Sequence, residues 1–515
     1  SMFTRALGVV AKGHVGLGII AASFVTCASC NCELRRDEKV YDVAIVGGGI
    51  VGLAVARECA IRGCSVAVVE KNESLAAGVS AGNSGLGHTG YDAPPGTLER
   101  KLLRRSIRLH QNLYRSFGLS HEHVRKSGSL VVAWTNEQLE KLPRVLEENR
   151  EAGDNEAQLI DAEELSQLEP SLSRDALGAV LCPYEAVVEP WLVPMGYAES
   201  ARRHGVVFHL SSKVVQASLD KQKKIWDISI APVLPDDPVN HSKGGEILVD
   251  APPVLEYKPH STNPNTVRAK VVINCAGLWG DDIEDLRLAN NDLVKKKKNF
   301  TITPRKGQFL VFEPCKDQES PNYIIEPVAT QFTKGVIVWT TVYGQIIVGP
   351  TAVNQYSKTD LSTDEATILA LREKAEAILP GLKGAQLVGT YSGLRPATEH
   401  RDYQISAFPS ENWISVSGIR STGLSASSAI GEYIADLHQT FTDPEFIPAI
   451  NHGMMGVSDS ACQPVPSTST HRSPPVPPLK TLALSLSEAD NTVALYGKRA
   501  KVSHAISWFG MRSLS

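Results

Sequence analysis

Three glycines at fixed spacing, Gly47, Gly49 and Gly52, follow the apolar run Tyr41-Asp-Val-Ala-Ile-Val46 and open a second apolar stretch that ends at Gly63. Between a strand and a helix this spacing gives each glycine its own task. Gly47 makes the tight turn, Gly49 lets the backbone approach a pyrophosphate, and Gly52 lets helix and strand pack closely. The free N–H groups of the first helical turn, at Ile50 and Val51, and the helix dipole behind them favour negative charge. A second strand pattern, Ser65-Val-Ala-Val-Val69, ends on Glu70, at the distance where a carboxylate accepts ribose hydroxyls. The chemistry implied is dinucleotide binding in a complete βαβ setting.

Further along, His88 lies in a glycine- and serine-rich loop, 78–90. An imidazole near neutral pKa can take a hydroxyl proton, or it can simply hydrogen-bond a bound ring. Arg395 precedes Pro396, which restricts its backbone. Its guanidinium offers a planar fork for carboxylate or phosphate, or one half of a structural ion pair. Arg420, in a turn before an apolar helix pattern, is a second cation of this kind. Arg305 and Lys306 precede a strand pattern and add positive charge to a site or to a solvated loop. Tyr343 and Tyr391 fit a pocket wall or a core, and Trp191, Trp279 and Trp339 fit packing at domain seams. His204 and His209 read as surface or packing residues.

The elements that must position these groups follow from periodicity. Helices are predicted over 98–117, 137–151, 162–169, 191–204, 364–378 and 425–437. Strands are predicted over 129–134, 206–210, 269–274, 308–312, 335–339, 345–349 and 413–418. The order implies an α/β, doubly wound, Rossmann-type domain made of separate stretches, 41–120, 195–290 and 388–440. Interleaved with it is a strand-rich antiparallel-sheet domain, 121–194 and 291–387. A substrate would sit where the two meet. Residues 231–266, rich in Pro, Asp, Asn and Gly, read as an inserted loop. Residues 441–515 form a C-terminal extension with a Pro-, Ser- and Thr-rich linker at 458–480.

The net charge of −4 over 515 residues gives no reason to expect nucleic acid as a partner. The basic run 295–298 suits a solvated loop or contact with a membrane surface. The nine scattered cysteines do not make a disulfide framework, and Cys27, Cys30 and Cys32 have no partner cluster that would make a metal site. Residues 1–40 are basic at Arg5 and Lys12 and hold no acid before Glu33, as in a mitochondrial presequence. Their apolar run, 15–30, also suits a secretory signal or a short anchor.

Five segments together resemble the FAD-dependent D-amino-acid-oxidase superfamily. They are 41–70, Gly82-Asn-Ser-Gly-Leu-Gly-His-Thr-Gly90, 270–280, Gly389-Thr-Tyr-Ser-Gly-Leu-Arg-Pro396 and Gly418-Ile-Arg-Ser-Thr-Gly-Leu-Ser425. Within it, the chain is most similar to the glycerol-3-phosphate dehydrogenase and L-2-hydroxyglutarate dehydrogenase branch. The resemblance implies FAD, contacted by Gly47, Gly49, Ile50, Val51, Gly52, Glu70 and Lys71 at its nucleotide end. It places the backbone of Val215 at the adenine and Asn83, Ser84 and Gly85 beside the isoalloxazine. It adds Ala276, Gly277 and Trp279 along the crevice, and Gly418, Gly423, Leu424 and Ser425 at the pyrimidine end. His88 and Arg395 become the residues facing substrate, and Arg420 one that contacts substrate or flavin. The implied reaction is hydride transfer from the C–OH of a small anion to flavin, with glycerol-3-phosphate leading and L-2-hydroxyglutarate next. An amine or D-amino acid is a third substrate class, and a non-catalytic dinucleotide-binding module is the alternative to an enzyme. Quinone, oxygen or a second flavoprotein would each accept electrons from the reduced cofactor.

Overall fold

The computed structural model describes residues 39–233, 265–289, 298–313, 320–329, 335–443, 445–446, 492–495 and 498–514. Residues 1–38, Lys295, Lys296 and Lys297, most of the 231–266 stretch and residues 458–480 lie outside the described residues.

The βαβ unit forms as its pattern requires. Strand β1 (Val40–Val46) runs parallel to β2 (Val66–Val69), with helix α1 (Ile50–Ile61) between them. Every residue of β2 is buried, as befits a parallel strand covered on both faces. Beyond β2 the sheet continues to Val207–His209; beyond β1 it continues to the long strand Asn265–Asn274. That strand serves two neighbours on its far edge. Its first half pairs antiparallel with Ile225–Pro232, and its second half pairs parallel with Trp413–Ser417. Helix α1 lies under Gly423–Gln439, where a Cβ at Gly431 would come within 2.9 Å of the Ala54 carbonyl.

The second sheet has nine strands, in the order Val353–Asn354, Thr303–Phe312, Ile346–Gly349, Ile337–Thr340, Ile324–Pro327, Ser129–Ala133, Gly178–Cys182 and Gln158–Asp161, with Leu387–Ala397 beside Thr303–Phe312. Its pairs are antiparallel except one, Ser129–Ala133 with Ile324–Pro327. The expected α/β architecture with a strand-rich partner is therefore what forms.

Four details differ from the sequence reading. Leu387–Ala397 pairs along its length with Thr303–Phe312, so the stretch from 388 to 397 belongs to the second sheet and not to the dinucleotide domain. The helix expected over 137–151 is two, Asn136–Leu139 and Leu142–Glu151, because Pro143 occupies the first turn of the second, where its missing N–H costs nothing. Strands Ser212–Asp220, which carries Val214 and Val215, and Ile225–Pro232 form a hairpin at the edge of the first sheet; the second strand of this hairpin was not expected from sequence. Within the C-terminal extension, residues 492–495 and 498–514 pack onto the body of the protein. Thr492–Leu495 pairs with Lys498–Lys501, and helix Ala505–Leu514 follows. Leu495, Val502, Trp508 and Met511 are buried in one cluster with Ile50, Leu53 and Trp191, while Ala505 and Ile506 join Phe309, Trp339 and Tyr391 of the second sheet.

A small third sheet matters for the site. Leu86–Gly87 pairs antiparallel with Ala186–Val188, which also pairs with Val124–Arg125. It pins the 78–90 loop between the two large sheets.

Candidate active site

A crevice of about 1350 Å³ runs between the sheets. At one end stands the glycine turn. Gly47 has φ +110°, and a Cβ there would lie 2.4 Å from the Cys275 carbonyl oxygen. A Cβ on Gly52 would lie 2.0 Å from the Gly47 oxygen. Neither position admits a side chain. Gly49 precedes α1 with no side-chain cap, and it lines the crevice with Gly47, Ile50 and Val51. The Glu70 carboxylate accepts from the Gly48 N–H at 2.6 Å and the Asn72 N–H at 2.8 Å. Burial nevertheless pushes its pKa up, against those donors. Lys71 stands 4.1 Å over the Trp279 ring, and Lys358 reaches the same ring at 5.3 Å. The ladder of Ser212–Asp220 with Ile225–Pro232 slips between Val214 and Gln216, which leaves Val215 as an unpaired bulge residue on the crevice wall.

The middle of the crevice is built from close backbone contact. A Cβ on Gly393 would lie 2.2 Å from the Gly82 oxygen, so the 78–90 loop rests directly on Leu387–Ala397. Asn83 closes the loop on itself, accepting from the Gly85 N–H and donating to the Ser80 oxygen, each at 2.8 Å. Tyr391 stacks on Phe309 with ring centroids 4.5 Å apart. Helix Gly423–Gln439 points its N-terminus here with neither a capping side chain nor an acid in its first turn. Such an end favours negative charge.

The other end carries the charged groups. The His88 N–H donates to Ser425 Oγ at 2.8 Å, and His88 Nδ1 lies 3.2 Å from Glu185 Oε1. Glu185 is fully buried and its Oε1 also accepts from the Thr89 N–H and the Thr89 hydroxyl, both at 2.8 Å. Burial raises its pKa, but the charge and hydrogen bond of His88 and the two Thr89 donors outweigh that, so the carboxyl titrates below its usual value. Glu326 lies in the same cluster, its ligand-type atoms within 4.8 Å of those of His88 and Glu185, and Tyr91 donates to it at 3.3 Å. The hydrogen bonds from Thr89 and Tyr91 reach one oxygen of each carboxylate, Oε1 of Glu185 and Oε2 of Glu326.

Arg395 faces the crevice, and its Nη1 and Nη2 donate to the Thr351 carbonyl at 3.2 and 3.3 Å. Burial, with the nearby charge of Arg305, pulls its pKa down to about 10, so it is still a cation at neutral pH. Among the described residues no carboxylate pairs with it. Arg305 also lines the crevice and donates to Asn354 Oδ1 at 2.8 Å. Arg420 lines it beside Gly418.

Most of the residues singled out from sequence therefore meet in one crevice: Gly47, Gly49, Ile50, Val51, Glu70, Lys71, Asn83, Ser84, Val215, Ala276, Gly277, Trp279, Gly418, Gly423, Leu424, His88, Arg395 and Arg420. Three expected there are not on its wall. Gly52 packs α1 on the turn. Gly85 (φ +69°) lies against the Val188 carbonyl. Ser425 is buried and holds the His88 backbone. Lys306 is spent on Asp360, at 2.7 Å, and the Ser362 carbonyl. Tyr343 turns away to Glu189 at 3.0 Å. Sequence reasoning missed Glu185, Glu326, Lys358 and Thr351, which nothing local marks. It also missed His504, which lines the crevice from the C-terminal segment.

The residues fit FAD. The narrow glycine turn suits the pyrophosphate, Glu70 the ribose, the Val215 bulge the adenine and the flat Gly82–Gly393 contact a ring. Comparison with known proteins agrees. The family model described as FAD dependent oxidoreductase (DAO) matches residues 42–437. A glycerol 3-phosphate dehydrogenase of Caloramator mitchellensis is 30% identical over 77% of this chain and 74% of its own length. A mitochondrial L-2-hydroxyglutarate dehydrogenase of Bos taurus is 28% identical over 64% of each chain. The fold matches that of a dithionite-reduced L-α-glycerophosphate oxidase from Mycoplasma pneumoniae with FAD bound, with TM-score 0.66 and 24% identity over 78% of this chain and 95% of that one.

Proposed function

This chain belongs to the DAO family of FAD-dependent oxidoreductases, and on that premise we propose that it oxidises the C–OH of a small anion, with glycerol-3-phosphate as the favoured substrate. The observation that carries the reading is Arg395, a buried-side cation with no carboxylate partner among the described residues, on the same crevice wall as Arg305 and in the same crevice as His88.

FAD, bound along the glycine turn and the 78–90 loop, supplies the hydride acceptor. His88 takes the hydroxyl proton, so that negative charge need not build on the substrate oxygen. Arg395 and Arg305 hold the anion and orient the carbon that loses hydride. The uncapped N-terminus of Gly423–Gln439, with no acid in its first turn, would favour negative charge on a group bound beside it. The stacked Tyr391 and Phe309 and the C-terminal residues His504 and Trp508 wall the crevice and reduce access of water.

Two cations on one wall suit a compact dianion such as a phosphate monoester. L-2-hydroxyglutarate is the second reading, supported by the likeness to the bovine enzyme and by Arg420, a third cation for a second carboxylate. An anaerobic titration decides: glycerol-3-phosphate should bleach the yellow protein faster than L-2-hydroxyglutarate. The reverse order selects the second reading. A flavin bleached by neither, nor by any amine, points to a binding module without turnover.

We extend the proposal to place. The basic, acid-free start of the chain supports import into mitochondria. A fluorescent protein fused behind residues 1–40 and found in the secretory pathway would contradict this.

A further inference from the structure

The loop that carries His88 is held opposite one particular turn. Leu86 pairs with Val187 and Gly87 with Ala186, so continuing the antiparallel register by one step sets His88 against Glu185. The two side chains meet at that step, with His88 Nδ1 3.2 Å from Glu185 Oε1. Glu185 has no freedom to move away. It is fully buried, Thr89 holds its Oε1 through both N–H and hydroxyl, and its own carbonyl accepts from the Gly128 N–H at 2.9 Å.

We propose that Glu185 is the positioning residue for the His88 base, holding the imidazole in the tautomer that leaves Nε2 for the substrate proton. The inference rests on His88 acting as base in the oxidation proposed above. A carboxylate accepts only, so the ring nitrogen facing it must carry the proton. With a proton on Nδ1 facing Glu185 across that 3.2 Å contact, Nε2 keeps its lone pair. During turnover the hydroxyl proton passes to Nε2 as the carbonyl forms and the hydride leaves for the flavin. The resulting imidazolium lies beside a buried negative charge, and Glu185 itself takes no proton. The cost of burying a carboxylate so deeply is offset because the ring it faces becomes cationic in the reaction.

The titratable groups around this pair are Tyr91, Asp154, Cys182 and Glu326. Burial keeps Tyr91 and Cys182 protonated. Burial lifts the Asp154 carboxyl to about 6, so Asp154→Asn is the necessary control in a pH study.

The test uses the flavin-loaded full chain, with glycerol-3-phosphate and L-2-hydroxyglutarate as probes and anaerobic bleaching as the readout. Glu185→Gln should keep its flavin and change KM little, while the bleaching rate falls about 10²–10⁴-fold. The ascending limb of the pH profile should move to lower pH, because the imidazolium loses its counter-charge, and Glu185→Asp should restore part of both. Asp154→Asn should leave the limb in place. If His88→Asn abolishes bleaching while Glu185→Gln keeps the normal rate and limb, this inference alone falls. If His88→Asn bleaches normally, or no C–OH substrate bleaches the unmodified protein, the reading beneath it falls as well. Should Glu185→Gln fail to fold, ring-¹⁵N histidine spectra of the unmodified protein decide, with the His88 signal assigned by its loss in His88→Asn. A neutral ring protonated at Nδ1 supports the proposal, and one protonated at Nε2 overturns it.

Discussion

Arg305 and Arg395 stand directly opposite one another in the antiparallel pair Thr303–Phe312 with Leu387–Ala397. Two like charges at such a position destabilise a sheet unless something anionic comes between or beside them. Among the described residues their hydrogen-bond acceptors are the carbonyl oxygen of Thr351 and the amide oxygen of Asn354. The anionic substrate proposed above would supply that charge.

Replacing Arg395 by alanine should therefore raise KM roughly 30- to 1000-fold, equivalent to about 2–4 kcal/mol of lost charge-assisted binding. Flavin content should be unchanged, since the guanidinium lies at the substrate end. Steady-state kinetics beside a flavin spectrum checks both halves, and an unaltered KM removes Arg395 from the site.

Lys306, one residue from Arg305, should behave differently. Its ammonium is engaged by Asp360 and Ser362. Lys306→Met should leave KM within about twofold and lower thermal stability, because Asp360 loses its partner. A large rise in KM would mean that the lysine swings into the crevice during binding.

Gly52→Ala should cost the protein its cofactor. The added methyl would sit 2.0 Å from the Gly47 carbonyl oxygen, so the turn must open. Purified protein should come out colourless or substoichiometric in flavin, with a lower melting temperature. Full flavin occupancy would show that the turn yields without loss.

Acid should loosen the C-terminal segment. Burial pulls the His504 pKa down to about 3 from an ordinary value of 6.5, despite a hydrogen bond with the Asn83 backbone. Between these values the unfolded segment binds a proton that the packed one refuses. Stability therefore falls as pH drops below about 6.5 and keeps falling toward 3. Limited proteolysis across this range should cleave near residues 498–514 first, and His504→Gln should flatten the dependence. His110, brought down to about 4 by burial, adds a similar slope in the helix Leu98–Ser116, so the comparison is between variants at each pH.

The nucleotide end was legible because its information is local: Gly47, Gly49, Gly52 and Glu70 act within one βαβ unit, and spacing alone sets their contacts. Arg395 was legible as a cation, but its strand was assigned to the wrong sheet. Partnership with Thr303–Phe312 is a matter of register across some 80 residues, which no local pattern encodes. Glu185 was invisible for the same reason, since its link to Thr89 spans 96 positions. Pro143 did announce the break in the 137–151 helix, and the apolar alternation of Trp226, Ile228 and Ile230 did announce a half-buried strand. The docking of residues 498–514 had no signature, because its partners Glu73, Tyr343 and Gly389 come from both sheets.

That docking also bears on the order of assembly. Lys501 reaches Glu73 at 2.9 Å across 428 positions of chain, among the longest loops the molecule must close. Contacts so remote in sequence are slow to find. The local βαβ contacts around the glycine turn close early by comparison, and the crevice wall contributed by His504, Ala505 and Trp508 is completed only by this remote contact.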